Sequence, residues 1–253
     1  MEFKSRVIVL VKASPQPSKK YQETVCCAGI DDGGKWRRMY PIRFRHLSED
    51  KTFKRWNVVD FDYHRSKTDL RWESCRVHEE TLTVQGYVRK LEERSEIVER
   101  ALVASELEAT DKGNSLALIR PTDVELIARP RKSSEIKEIQ EAYQAQAKQL
   151  SLFDEELAAY QPCPIEFKIR FKDGDGKERK KLCGDWETEA AFFKLRRSYE
   201  EREVIAHLHR MYSEEYPRRG ITFALGNMQK RPQTWQLLGI FPAKESTQET
   251  FDF

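Results

Sequence analysis

Carboxylates and aromatic rings in this sequence could act together on a nucleobase. An enzyme that removes a base must unstack it, hold it against a ring and read its polar edge. A carboxylate beside the base could activate water and stabilise the positive sugar that forms as the glycosidic bond breaks. Such base removal needs neither a metal nor a cofactor. The candidate catalytic carboxylates are Glu23, Glu73 and Asp185.

Other residues in the sequence are suited to holding a nucleic acid. The rings of Tyr21, Tyr40 or Trp72 could stack on a base, because every base offers a flat π-face. The amide of Asn227 could read the polar edge of that base. Arginines could neutralise phosphates, and the candidates are Arg38, Arg45, Arg71 and Arg76.

The same residues also have structural interpretations. Asp185 and Glu187 stand at a predicted helix start, where carboxylates interact favourably with the positive end of the helix dipole. Asp69, Arg71 and Glu73 alternate along the chain, which also suits a ladder of surface ion pairs. The sequence therefore leaves open whether these carboxylates act on a substrate or support the fold.

Two other functions remain open. Glu166-Phe167-Lys168 has the carboxylate-x-Lys spacing of a metal-dependent nuclease, and Asp154 could be its second acidic ligand. The third hypothesis is a non-catalytic module that reads DNA or RNA bases. Walker, HNH and zinc-quartet motifs are absent from the sequence. His207 and His209 are two residues apart on a predicted helix, so their side chains point to different faces and do not suit a pair of metal ligands.

The pentapeptide QLSLF resembles the short peptide by which bacterial DNA polymerases and repair proteins dock onto the replication sliding clamp. In such a peptide a glutamine amide fixes the orientation and apolar side chains fill a groove on the partner. The partner-binding residues would be Gln149, Leu150, Leu152 and Phe153. They follow a polar helix, which favours clamp binding over the alternative that they close a helix onto the core. The peptide predicts action on replicating DNA, in repair or in defence against phage DNA.

Composition agrees with a soluble protein that binds nucleic acid. Charged residues make up 34% of the 253 residues, and the longest apolar run, Val7–Val11, is far shorter than the roughly 20 residues of a membrane span. From Lys35 to Arg76 twelve Lys or Arg face six Asp or Glu, a net charge of +6, whereas the whole chain carries +3. Five irregularly spaced cysteines and no signal-peptide core predict a cytoplasmic location.

Hydrophobic periodicity predicts strands throughout the chain and three longer helices. The predicted helices are Leu91–Leu107, Ser133–Ala147 and a long one from Asp185 to about Tyr212. The predicted strands are Val7–Lys12, Thr24–Ile30, Arg38–Phe44, Asn57–His64, Arg76–Val84, Ser115–Ile119, Val124–Arg129, Ile165–Phe171, Glu178–Cys183, Ile221–Leu225 and Trp235–Phe241.

These elements predict an α+β protein in which two β-rich parts are joined by a helical arm, with a long helix in the C-terminal half. Residues 1–130 would form a basic, aromatic part with the nucleic-acid surface. Residues 131–160 would form the polar arm with the clamp-like peptide. Residues 161–253 would form a hairpin, the long helix and a second hairpin.

Several motifs spread over most of the chain resemble a family of uncharacterised bacterial and archaeal proteins. They lie at Pro15–Gly29, Arg38–Arg45, Asp69–Arg76, Asp185–Glu187 and Gly226–Pro242. The resemblance implies the order of the pieces but no activity. Many members carry a Cys…Cys-x-Gly-His cluster before Asp-Trp-Glu that would suit a structural zinc. Here Cys183 stands alone, so no metal is expected.

Overall fold

The computed structural model describes residues 2–14, 16–18, 22–44, 47–150 and 161–243. For residues 16–18, 22–24 and 146–150 it describes the course of the backbone only. The described elements confirm a mixed α+β protein rich in strands, among them a closed five-stranded barrel.

The first barrel is built from the N-terminal strands. Its five strands close in the order β1-β4-β5-β7-β6 and back to β1, and the β5–β7 contact is parallel. Strand β6 shows why these segments form strands, because Val59, Phe61 and Tyr63 are buried and alternate with the partly exposed Asp60 and Asp62. The N-terminal half has three further strands outside the barrel, because β2 and β3 pair only with each other and β8 pairs with β6. All its strands are β1 (Phe3–Lys12), β2 (Gln16–Ser18), β3 (Gln22–Thr24), β4 (Cys27–Asp31), β5 (Trp36–Tyr40), β6 (Asn57–Arg65), β7 (Ser74–Val77) and β8 (Thr83–Tyr87).

A second set of strands follows two short helices, α1 (Leu91–Glu99) and α2 (Glu106–Asp111). Strands β9 and β10 follow each other with a break at residues 120–121, and together they act as one bent strand. β9 pairs with β13, and β10 pairs with β11. The strands are β9 (Leu116–Ile119), β10 (Thr122–Pro130), β11 (Ile165–Lys172), β12 (Glu178–Leu182), β13 (Ile221–Met228) and β14 (Arg231–Pro242).

The second set repeats the strand order of the first barrel. β11 pairs with β12, β13 pairs with β14, and Cys183, directly after β12, forms a parallel bridge with Leu237 of β14. With β9 and β10 counted as one strand, the order is first, second, third, fifth, fourth and back to the first. The contact between third and fifth strands is parallel in both sets.

Strand β13 lies between two cores. Phe223 and Leu225 face the core of the second set, whereas Ala224 faces the core shared with the first barrel. A strand covered on both faces carries apolar residues at successive positions, which explains its uninterrupted run of buried residues. In the shared core Trp56 contacts Phe241 edge-on, with ring centroids 5.3 Å apart. The two halves therefore bury a common apolar surface.

The predicted long helix from Asp185 to about Tyr212 is confirmed only in part, because it is interrupted and its long part has about 18 residues. The chain instead forms α4 (Trp186–Leu195) and α5 (Glu201–Arg210), followed by a π-helical turn (Met211–Glu215) and the single turn α6 (Tyr216–Arg218). A capping box between Glu200 and Glu203 starts α5. A straight helix of that length would extend about 40 Å and could not keep both ends on one small core. The break between the helices places the Thr188 hydroxyl oxygen 2.9 Å from the Tyr212 hydroxyl oxygen, within hydrogen-bond distance.

The predicted helix Leu91–Leu107 is also interrupted. Its middle leaves the helix because Val103 donates its backbone N–H to Leu118 of β9, and Leu102 forms a parallel bridge with the same residue. Ser105 then caps α2 by accepting a hydrogen bond from the Glu108 backbone. This pairing with a distant strand has no signal in the local sequence.

The polar arm is an insertion between two paired strands. Helix α3 (Ser133–Leu150) leaves β10, and the chain returns as β11, which pairs antiparallel with β10. α3 buries Tyr143 and lies beside β2 and β3, which pair with each other as a separate two-stranded sheet. The described pairings thus group β9 and β10 with the C-terminal strands. The predicted division placed the same residues in the N-terminal part, which was to end at residue 130.

All five cysteines are described and none forms a disulfide. Among the described residues no helix is both long and apolar enough to cross a membrane.

Candidate functional site

A cavity of about 280 Å³ opens between β5, β7 and the connection of β6 to β7, which we call loop 66–73. Several residues that the sequence suggested for nucleic-acid binding meet here, although they are far apart in the chain. Its lining consists of Arg38, Tyr40, Pro41, Ser66, Thr68, Asp69, Ser74, Cys75 and Arg76.

Loop 66–73 is held in shape by a local ion pair. Arg71 places its Nη2 2.5 Å from Asp69 Oδ2 and its Nε 2.8 Å from Oδ1, and Ser74 Oγ donates to the same carboxylate at 2.7 Å. Burial alone would raise the pKa of Asp69, but the hydrogen bonds from Arg71 and Ser74 outweigh it, so the pKa lies below its ordinary value. Asp69 therefore remains ionised and fixes the guanidinium.

Arg71 also connects the first barrel to the hairpin of β13 and β14. Its Nη1 donates to the backbone oxygen of Asn227 at 2.8 Å and lies 3.3 Å from the amide oxygen of the same residue. In addition, the side chain of Gln229 donates to the backbone oxygen of Thr68. Asn227 and Arg71 thus meet as the hypothesis of one common site requires, but much of the binding capacity of Arg71 is already used within the protein.

Glu73 is fully buried in a polar network behind the cavity. Its carboxylate accepts hydrogen bonds from the Ser115 backbone N–H at 2.6 Å and from Ser115 Oγ at 2.9 Å. Arg38, which is also buried, donates through Nη2 to the Ser115 backbone oxygen at 2.9 Å. In this arrangement the Glu73 carboxylate faces the inside of the protein and joins the first barrel to the residue that precedes β9.

Three large apolar side chains on β5 and loop 66–73 are exposed. Tyr40 is 39% exposed, Trp72 is 37% exposed and Leu70, at the tip of the loop, is 86% exposed. A guanidinium N–H of Arg65 donates to the Trp72 backbone oxygen and so supports the loop from the end of β6. Exposed rings beside arginines form a surface that can stack on bases and hold phosphates.

Asp185 belongs to a different place in the fold. Its fully buried carboxylate accepts from Arg55 Nη2 at 2.9 and 3.0 Å, from the Ile240 backbone at 2.9 Å and from the Glu187 backbone at 3.2 Å. Burial raises the pKa of Asp185, while Arg55 acts against this rise. The last of these contacts is the predicted helix cap. The Arg55 contacts join the two halves of the chain, and the Ile240 contact ties Asp185 to β14 within the C-terminal half.

Several candidate residues lie outside the described part of the chain. Nothing is described for Tyr21, Arg45, Leu152 and Phe153, and the side chains of Glu23, Gln149 and Leu150 are likewise outside it. Glu23 and Tyr21 fall in the connection between β1 and β4, on the strand β3 and just before it.

The carboxylate expected for a nuclease is part of a group of ion pairs on β11. Glu166 lies 3.1 Å from Arg129, 3.6 Å from Arg131 and 2.9 Å from Lys168. Arg129, most strongly, and Lys168 lower the pKa of Glu166, although burial acts against them. Within the described residues no group of three or more His, Cys, Asp or Glu could hold a metal ion.

Sequence reasoning missed three residues that organise these sites. Ser115 and Arg55 gave no signal, because their importance comes from contacts 42 and 130 positions away in the chain. Gln229, next to Lys230 in the β13–β14 turn, could have been noticed because the Gln-Lys-Arg-Pro sequence there is basic and suited to a turn.

Two family models match the chain, one for each half. The first, described as a domain of unknown function (DUF8758), covers residues 3–100, and the second, a domain of unknown function (DUF8757), covers residues 99–253. Their boundary agrees with the change from the first barrel to the second set of strands. No curated protein matches the chain. Because the second model spans more than half of its length, the chain belongs to the DUF8757 family.

Proposed function

We propose that this chain binds single-stranded DNA, with loop 66–73 and β5 of the first barrel as the main surface. The observation that carries the proposal is the exposure of Tyr40 and Trp72 on β5 and loop 66–73, next to a cavity whose lining includes the partly exposed Arg76. Rings that stack on unpaired bases and cations that follow the backbone are the usual means of holding single strands.

The arrangement of the strands supports this proposal. A five-stranded barrel in the order first, second, third, fifth, fourth, with a parallel contact between third and fifth strands, is the topology of the OB-fold. OB-folds bind oligonucleotides on the face of strands 2 and 3 and on the loops between strands 1 and 2 and strands 4 and 5. Loop 66–73 is the loop between strands 4 and 5. This support is an analogy of fold, and the side chains of the loop add the chemistry.

Base excision is a further step that depends on Glu23. A catalytic carboxylate must reach the substrate. The oxygens of Glu73 and Asp185 are buried and bonded to Ser115 and Arg55, so neither reaches a strand on the surface. Glu23 is the candidate left for this role, and base removal from modified, damaged or phage DNA is proposed on that condition. Binding without chemistry is the function that the described contacts support best.

Replacing Trp72 by alanine is expected to weaken binding of single-stranded DNA roughly tenfold or more, because one stacked base contributes about 1–3 kcal/mol. Fluorescence anisotropy with labelled oligonucleotides measures this. Tyr199→Ala is the matched control, since Tyr199 is exposed at the turn between α4 and α5.

The same assay separates the alternatives. Equal affinity of wild type and Trp72→Ala, or preference for duplex DNA, would contradict the proposal, and stronger binding to RNA of the same sequence would assign the surface to RNA. Incubation with normal and modified phage and host DNA, followed by separation of free bases from cut strands, tests excision and nuclease activity. Free base released by wild type but not by Glu23→Gln would establish excision.

We also propose that Gln149–Phe153 docks onto the replication sliding clamp. The support comes from the peptide sequence and from α3, which leaves the sheet between β10 and β11 instead of continuing it. The double variant Leu152→Ala/Phe153→Ala is expected to lose about tenfold or more in affinity for a purified bacterial clamp, because apolar anchors dominate such interfaces. Biolayer interferometry with Leu107→Ala as control tests this, and unchanged binding of the double variant would exclude the peptide.

A further inference from the structure

The turn of the β13–β14 hairpin lies beside the proposed DNA surface and carries two exposed cations. Residues 229 and 230 form the turn between Met228 and Arg231, which pair with each other. Lys230 and Arg231 are exposed, and within the described parts of the chain neither has an ion-pair partner. Many other surface cations are paired with carboxylates, for example Arg6 with Asp60 and Lys172 with Asp123.

This turn and loop 66–73 occupy equivalent places in the two strand sets. Each connects the fourth strand of its set to the fifth, and in OB-folds this connection takes part in oligonucleotide binding. The two connections touch, since Arg71 donates to the Asn227 backbone oxygen at 2.8 Å and Gln229 donates to the Thr68 backbone oxygen. A DNA strand bound to loop 66–73 can therefore continue onto the β13–β14 turn, because the two connections are in contact.

The hairpin also widens on the side of these cations. The register of β13 and β14 shifts between Asn227 and Met228, so that Pro232, Gln233 and Thr234 stand outside the regular ladder and are exposed. Proline has no N–H to donate, which suits a position outside the ladder. This bulge leaves an exposed polar segment next to Lys230 and Arg231.

We infer that one DNA strand runs across both connections, with bases at loop 66–73 and phosphates on Lys230 and Arg231. The inference rests on the proposed function of the first barrel and extends it to the second strand set. The binding site is then a continuous platform of both halves, and the contacts of Arg71 and Gln229 hold its two parts in register.

The experiment measures the affinity of the full-length protein for a short and a long oligonucleotide. Site sizes of single OB-folds are about 4–16 nucleotides, so labelled oligo-dT strands of about 6 and about 25 nucleotides report one half and both halves. The double variant Lys230→Ala/Arg231→Ala is expected to bind the long strand roughly tenfold more weakly and to leave short-strand affinity nearly unchanged. Losing two phosphate contacts should reduce the slope of log K against log salt by about 1.4 for the long strand.

Lys194→Ala/Arg197→Ala is the charge-matched control, because both residues are exposed at the end of α4 and just after it, away from the connections between fourth and fifth strands. If this control weakens long-strand binding as much as the test variant, or if the test variant leaves the salt slope unchanged, the continuous platform is wrong. In that case Trp72→Ala would still weaken short-strand binding if the first barrel binds DNA. Absence of single-strand binding by wild type would overturn the proposed function itself.

Discussion

Replacing Asp185 by asparagine is expected to lower the free energy of unfolding by about 3–5 kcal/mol, because it removes the buried charged partner of Arg55. The half-exposed Glu187, 3.4 Å from Arg55 Nη1, is then the carboxylate left beside the guanidinium. Arg55 donates to both oxygens of Asp185 and, through Nη1, to the Ile240 backbone oxygen at 2.7 Å. Little water reaches this place, since Asp185 is fully buried and Arg55 is 6% exposed. Urea denaturation followed by circular dichroism measures the change.

Two control variants distinguish the cost of leaving Arg55 without its buried partner from the contribution of the Arg55–Asp185 ion pair itself. The variant Arg55→Met/Asp185→Leu removes both charges and is expected to recover part of the stability, because a buried pair contributes less than the cost of one unpaired member. Asp60→Asn removes a carboxylate from the partly exposed pair with Arg6, so it should cost about 1 kcal/mol or less. If Asp185→Asn lowers the free energy of unfolding no more than Asp60→Asn does, the buried pair between the two halves does not contribute the expected stability.

Replacing Glu73 by glutamine is expected to destabilise the protein by about 2–3 kcal/mol. The carboxylate accepts from two donors of Ser115 within 2.9 Å, whereas the glutamine side chain has one oxygen and turns its NH₂ group toward the other donor. A hydrogen bond to a charged group contributes about 1.5–3 kcal/mol, and an unpaired buried donor costs about 1–3 kcal/mol. The buried guanidinium of Arg38 would also lose the nearby negative charge.

This prediction distinguishes a supporting Glu73 from a catalytic one. The unfolding free energy and the affinity for oligo-dT are measured on Glu73→Gln and on Glu92→Gln, a control at an exposed glutamate of α1. A supporting residue gives lower stability with similar affinity at temperatures where the variant is still folded. Unchanged stability together with loss of released base would assign Glu73 to catalysis and contradict its structural role.

Much of the secondary structure could be predicted from local patterns. The alternation in Ile165–Phe171 and the following Asp-Gly turn predicted the hairpin of β11 and β12, which the structure confirms. Such alternation reports burial on one face of a strand directly. The interruption of the predicted helix 91–107 could not be predicted, because it accompanies the contact of Val103 with the distant Leu118. The break within 185–212 places Thr188 against Tyr212, a contact that the local pattern does not indicate either.

The sequence by itself determined which chemical groups the protein has: the basic excess between Lys35 and Arg76, the rings among those cations, and carboxylates at Glu73 and Asp185. Only the tertiary structure decided where they face. It turned both carboxylates inward onto Ser115 and Arg55, left Trp72 exposed and brought loop 66–73 against the β13–β14 turn. The physical reason is that the burial and partners of a charged group depend on contacts between segments 42 to 156 positions apart in the chain, and local residue types and spacing do not specify such contacts.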